Sequence, residues 1–213
     1  MRRLVLLLLI SCYSGLTFAQ QDAFAKKLLD QVSKKYDAYK TVQADFSFQA
    51  NQVDAENYTD GGVMYLNKPL KQYKIVLKDQ ELISDGKSVW SILKEEKEVQ
   101  VTDANNSTES IGPNNIFTFY KTGFKYVSMD DERLKGEALN VIELSPIDTK
   151  KNYFKIKLRI NQNKHIHDVL IFDKSGAKYT YTINSLFVNH KLNPSTFKFE
   201  KSKYPSFEVV DLR

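Results

Sequence analysis

The polar and apolar positions of the chain fall into two regimes. From Asp22 to Tyr39, apolar residues stand at Phe24, Leu28, Val32 and Tyr36, each four apart, with Ala25 and Leu29 beside them. That spacing marks one stripe of an amphipathic helix, and Asp22 is suited to cap its start. The period then changes to two. Ala44, Phe46, Phe48 and Ala50 alternate with Asp45, Ser47 and Gln49. Tyr73, Ile75 and Leu77 alternate with Lys74, Val76 and Lys78, and Phe154, Ile156, Leu158 and Ile160 with Lys155, Lys157 and Arg159. Alternation with one polar face predicts half-buried antiparallel strands. Turn signals separate the runs at Asp60-Gly61-Gly62, Asn67-Lys68-Pro69, Asp85-Gly86, Lys135-Gly136 and Ser175-Gly176. Between Ala44 and Val210 they mark out about eleven strands. Their even spacing, without internal repeat or low-complexity tract, predicts one meandering sheet in a single α+β, mainly β domain spanning residues 20–213.

One stretch breaks the sheet. Residues 102–122 are rich in Asn, Ser and Thr, then carry Gly112-Pro113 followed by Ile116, Phe117, Phe119 and Tyr120. A solvated loop has no use for four large apolar side chains, so this segment is expected to pack, as a loop with one or two short helices. Insertions of this length in a compact sheet are often lids. With 13 Phe and 12 Tyr in the chain, two arrangements are open. The helices seal a solid core, or the sheet curls around a cavity that they cover.

The first residues set the compartment. Arg2 and Arg3 precede an unbroken apolar run from Leu4 to Ile10, and Thr17-Phe18-Ala19 offers small residues at a cleavage site. Residues 1–19 therefore read as a secretory signal peptide, shorter than the roughly 20 apolar residues of a spanning helix. A rival lies within it: Leu9-Ile10-Ser11-Cys12 looks like a lipobox, in which Cys12 would be lipidated and tether the protein. Cys12 is the only cysteine, so cleavage at Ala19 leaves no disulfide, thiol nucleophile or thiolate metal site. No later apolar run approaches spanning length. The formal net charge of +5 is weak and interspersed, and two of its cations leave with the leader. It does not argue for nucleic acid.

Candidate chemistry is sparse. His165 and His167 stand at i and i+2 of a strand and would share a face, but no third ligand lies nearby, so a metal site is not expected. His190 is isolated. There is no Gly-x-Ser-x-Gly elbow, phosphate loop or His-Glu-x-x-His motif, and neither an enzyme nor a cofactor is expected.

Several segments together resemble the LolA family of outer-membrane lipoprotein carriers. Val42-Gln43-Ala44-Asp45-Phe46-Ser47-Phe48 follows the opening helix like the family's first strand. Gly62-Val63-Met64-Tyr65-Leu66-Asn67-Lys68-Pro69 resembles its glycine, strand, basic residue, proline hairpin, and Ser84-Asp85-Gly86-Lys87-Ser88-Val89-Trp90 its "DGK-x-x-W" hairpin. Asn193 to Phe199 and Glu208-Val209-Val210-Asp211 resemble its closing strand, with Pro205 slightly displaced. The pieces occur in family order over nearly the whole chain.

The resemblance implies an unclosed antiparallel half-barrel under a helical lid. It implies a soluble, monomeric periplasmic carrier that takes the acyl chains of outer-membrane lipoproteins from an inner-membrane, ATP-driven release complex. The cargo would go to the outer membrane, with or without a receptor there. Phe46, Tyr65, Tyr73, Ile75, Leu77, Leu82 and Trp90 would line the lipid cavity. Phe24, Leu28, Val32, Ile116, Phe117 and Phe119 would form the lid's apolar surface. In the family the residue before the hairpin proline is an arginine that hydrogen-bonds lid carbonyls and holds the empty form shut. Lys68 stands there, keeping the charge but replacing a planar fork of donors with one rotatable ammonium. Three other readings suit the same fold: a lipid- or lipoprotein-sensing regulatory domain, a tethered acceptor anchored at Cys12, and a carrier of another envelope lipid.

Overall fold

A computed structural model of the protein describes residues 22–53, 56–104 and 111–213. The expected signal peptide and the lipobox at Cys12 lie outside the described residues.

The opening stripe folds as helix α1, Ala23–Ala38. Asp22 caps it, its Oδ1 accepting from the backbone N–H groups of Phe24 at 2.9 Å and Ala25 at 3.0 Å. The other carboxylate oxygen accepts from the backbone N–H of Ser128 at 2.9 Å and from its hydroxyl. One side chain thus starts the helix and pins it to a strand far along the chain. Together these bonds, led by the one from the Ser128 hydroxyl, hold the Asp22 carboxyl down at about 2.

Twelve strands follow among the described residues, one more than the turn signals mark out. They are β1 Thr41–Asn51, β2 Tyr58–Asn67, β3 Gln72–Val76, β4 Gln80–Ser84, β5 Ser88–Leu93 and β6 Glu98–Asp103. Then come β7 Phe124–Leu134, β8 Glu137–Pro146, β9 Tyr153–Asn161, β10 Ile166–Asp173, β11 Lys178–Val188 and β12 Glu208–Asp211. All belong to one sheet, ordered β12-β6-β5-β4-β3-β2-β1-β11-β10-β9-β8-β7. Two meanders, β1 to β6 and β7 to β11, join where β1 pairs with β11. Every pairing is antiparallel except that of β12 with β6. The terminal strands β7 and β12 do not pair with each other, so the sheet is unclosed.

This topology explains the interrupting segment. The chain leaves β6 near one edge of the sheet and must re-enter at β7, the opposite edge. The connection therefore crosses an open face of the sheet, where Ile116, Phe117 and Tyr120 are buried together with Ala25, Leu28, Leu29, Val32 and Tyr36 of α1. Among the described residues of this crossover, 111–122, there are turns and one short 3-10 helix, Phe119–Lys121.

The two faces of the sheet hold separate cores. On the concave face, register sets Tyr73 beside Leu66, Val42 and Val188, and Ile75 beside Met64, Ala44 and Leu186. On the opposite face Ile83, Ile92 and Val99 form a second cluster. The chain after β11 covers it, stacking Phe199 on Trp90 at 5.8 Å and on Tyr204 at 5.6 Å between ring centroids.

Two expectations are corrected by that register. Trp90 lies opposite Ile83, in the second cluster, and so faces away from the concavity. Tyr65 lies opposite Gln43 and Lys74, while its neighbours Met64 and Leu66 turn inward. A third correction concerns Phe24, which is 55% exposed while Ala25 is 0%. Each four-residue step winds about 40° around a helix, so the row from Phe24 to Tyr36 slants. With Val32 at the centre of the buried stripe, Phe24 sits roughly a quarter-turn off it.

Candidate functional site

The concave face and its cover meet as one apolar body. Phe46, Tyr73, Ile75, Leu77 and Leu82 come together there with Leu28, Val32, Ile116, Phe117 and Phe119. Tyr36 is at the centre of the cover. It stacks on Phe117 at 4.5 Å and lies edge-on to Tyr39 at 5.8 Å, and its hydroxyl accepts from the backbone N–H of Ile166 at 3.2 Å. Burial pushes its phenol well above the ordinary range. Tyr120 is likewise pushed up to about 12 by burial, with Ser33 3.4 Å from its hydroxyl.

The cover does not fill the concavity. Under the C-terminal end of α1 a cavity of about 310 Å³ remains. Tyr36, Val42, Leu66, Tyr73 and Phe117 supply its apolar walls, and Asn67, Lys68, Lys71, Gln72, Asn114 and Thr118 its polar rim. That volume sits at the low end of small-molecule pockets, roughly 300–1,000 Å³. A cavity of this size admits one slender segment, and anything bulkier would require the cover to move.

Lys68 holds the cover at this mouth. Its ammonium donates to the carbonyl of Tyr36, in the last turn of α1, and lies 3.8 Å from the Asp37 carboxylate. Asp37 also receives both hydrogen bonds of the Lys121 ammonium, at 2.6 and 2.8 Å. The hairpin, the helix and the crossover thus meet at one carboxylate. Desolvation, with a smaller push from the Lys121 charge, lowers the Lys68 pKa, and Asp37 opposes that shift.

The turn carrying Lys68 is buttressed from below. It forms a 3-10 turn, Lys68–Leu70, that ends with Lys71 in the left-handed region at φ 54. The Asp85-Gly86 turn packs against it so closely that a Cβ on Gly86 would sit 2.5 Å from the Leu70 carbonyl oxygen. Gly86 itself has φ +93, so glycine suits the site twice over. Gly62 has a similar role between β2 and β3, where a Cβ would lie 2.0 Å from the Val76 carbonyl oxygen.

Magnitudes decide what keeps the cover down. A hydrogen bond from a charged donor contributes about 1.5–3 kcal/mol at best, and half-exposed ion pairs such as those of Asp37 about 0–1. Burying Leu28, Val32, Ile116 or Phe117 contributes roughly 1.5–3 kcal/mol each. Apolar contact therefore supplies most of what holds cover to sheet, and the Lys68 contacts add a smaller share. Any ligand that displaced the cover would have to offer replacement apolar surface, at about 0.8 kcal/mol per buried CH₂.

The two histidines do not share a site. A bulge falls between Ile166 and Asp168. His165 packs against Tyr36 and shares a 2.8 Å hydrogen bond with the Tyr39 hydroxyl. His167 pairs instead with Asp168 at 2.7 Å, beside Arg159. Among the described residues no three His, Cys, Asp or Glu side chains gather as a metal site, and no described helix is long and apolar enough to cross a membrane.

Residues 37–200 match the family of the outer membrane lipoprotein carrier protein LolA. The chain belongs to the LolA family. No curated protein sequence matches this LolA-family chain. Among solved structures it is similar to a conserved protein from Thermus thermophilus, at a TM-score of 0.58 and 11% identity, over 87% of this chain and 98% of that one. It is also similar to MucB, at 0.52 and 10% identity, over 89% of this chain and 66% of MucB. A LolA-superfamily protein from Nitrosomonas europaea aligns at 0.43 and 11% identity, over 82% of this chain and 97% of its own. At such identities the likeness is one of fold.

Within the LolA fold, sequence reasoning put Tyr36 and Tyr120 in the segments expected to cover the sheet but left them off the named lid surface, and it missed Asp37 and Lys71 near the mouth. Asp37 carried a usable signal. An acid in the last turn of a helix opposes the macrodipole, so its presence there points to a cationic partner.

Proposed function

We propose that this protein is a periplasmic carrier that shields lipoprotein acyl chains in its concavity while it moves them from the inner to the outer membrane. The supporting observation is an apolar concave face whose cover is held mainly by apolar contact, with a cavity already present beneath the latched end. Acyl chains entering there replace the cover's side chains against the sheet, so the free energy of burial changes hands instead of being lost. Family membership supports the same reading. Its partners are then acylated lipoproteins, an ATP-driven release complex at the inner membrane and an acceptor at the outer membrane.

Native mass spectrometry of the protein from the periplasm, followed by release from inner-membrane vesicles with ATP, tests this. Co-purifying acylated protein, and lipoprotein release that depends on added carrier, are the expected results. Free lipid alone, with no lipoprotein released, would move the function to a sensor or to the transport of another envelope lipid.

A further inference from the structure

The cavity beneath α1 is amphipathic in a directional way. Its walls are apolar, and the side chains that line it include two lysines and no acid, the Asp37 carboxylate lying behind Lys68. Lys68 is committed to the Tyr36 carbonyl and lies near Asp37. Lys71 has no ion-pair partner among the described residues, although it stands on the same rim. Asn67 and Gln72 bond to each other at 3.1 Å and flank the two cations in the turn. An apolar slot that ends in one unpaired ammonium, Lys71, beside a second held only 3.8 Å from a half-exposed carboxylate is matched by a chain that ends in an anion.

We propose that the mouth of this cavity selects a single-chain amphiphile with an anionic headgroup, carboxylate or phosphate, seated between Lys68 and Lys71 with its chain along Val42, Leu66, Tyr73 and Phe117. The proposal rests on the reading of the concavity as an acyl-chain site and goes beyond the lipoprotein cargo, whose anchor carries no anion, to a second class of ligand at its mouth. It also gives Asp37 a second role. The Asp37 carboxylate is an internal stand-in for the headgroup, and an arriving anion competes with it for Lys68. Binding at the mouth therefore weakens the tie between hairpin and helix as the chain enters beneath them. Charge-assisted bonds at a partly desolvated ammonium discriminate charged from neutral acceptors, and desolvation already lowers the Lys68 pKa.

The test uses dodecanoate and dodecyl phosphate as anionic probes and dodecylphosphocholine as the zwitterionic control. Each is kept below its micelle concentration and competes with a fluorescent fatty acid on the full mature protein. The anionic probes are expected to bind about tenfold tighter than the control at low salt. Lys71→Gln, on an exposed turn, should erase most of that difference while leaving the control unchanged and the melting temperature intact. Asp37→Asn removes the internal competitor as well as a tie of the cover, and should tighten the anionic probes more than the control. Equal binding of anionic and zwitterionic probes, or an unaltered preference in Lys71→Gln, overturns the headgroup inference and leaves the carrier reading standing. Competition by inorganic phosphate or acetate as strong as that of the dodecyl probes also overturns it, because the site would then recognise an ion without a chain. If no dodecyl probe binds at all, the headgroup inference fails, and the carrier reading is decided separately by the lipoprotein-release assay.

Discussion

Lys68, Asp22 and His165 each fix one point of the cover, and each gives a measurable outcome. Lys68→Leu removes the donor to Tyr36 and the charge beside Asp37, so the empty form is held less firmly. The fraction of purified protein carrying lipid should rise; an unchanged fraction would remove Lys68 as a latch. Asp22 acts through pH. Its carboxyl is held below the unfolded value of about 4, down to about 2. The stability it contributes is therefore fully present above about pH 4 and lost as pH falls towards 2. Asp22→Asn should flatten the thermal-stability profile over that window. His165 adds in the same direction at milder acidity. Burial, helped by the Lys35 charge, lowers its pKa, so the unfolded chain takes up the proton first, near pH 6.5. Its neutral form supports the Tyr39 contact above that pH, and this support is lost as pH falls further. His165→Gln should remove the part of the melting-temperature drop that falls between pH 7 and 5.

At the scale of elements, the sheet's two faces hold separate apolar clusters, and under the proposed carrier role only the concave one would bind. Trp90→Ala opens the second cluster under Phe199 and should cost about 2–3 kcal/mol, less than the 3–5 for a fully buried aromatic. It should leave acyl-chain binding intact, as measured by denaturant unfolding beside a lipid-displacement assay. Ile75→Glu puts a charge on the concave floor. If the protein still folds, its lipid binding should fall at least tenfold; retained binding would show that chains do not pass over β3. The same two-faced sheet explains which elements the sequence disclosed. α1 and most strands were legible because one face of each is polar, as in the alternation around Ile156, Leu158 and Ile160. Val63-Met64-Tyr65-Leu66 is apolar throughout, so period two could not say which pair turns inward. Trp90 was ambiguous for a related reason, since the segment that covers it lies a hundred residues on. Phe154 was read as inward, yet it is exposed and Tyr153 is buried, because a register shift at Phe172 and Asp173 displaces the pairing. Bulges of this kind leave no periodic trace.

Over the whole molecule, closure is a matter of packing between two bodies, the curved sheet and its cover. Amide exchange should report them separately. In the empty protein α1 and residues 111–122 should exchange faster than β1, β2 and β11, because their backbone is tied to the sheet by few hydrogen bonds. Loading with lipid should raise exchange in the cover without altering the central strands. Equal protection across all of these segments would mean that the cover does not move as a unit. The site could not have been assembled from sequence at this scale. Lys68, Asp37 and Lys121 are brought together by topology from three separate elements; family resemblance marked Lys68 and the helix dipole could have marked Asp37, but neither named the other or Lys121 as its partner.

The crossover from β6 to β7 has a mechanical consequence. It is anchored at both ends, near opposite edges of an open sheet, like a bowstring across a bow. Its described part, residues 111–122, is packed on the face between those edges, so under the proposed carrier role a bulkier cargo has to displace it. The length of this connection is then expected to limit the load the arc can hold. Lengthening it by a few flexible residues should let the protein accept more or longer chains and grip each of them less tightly.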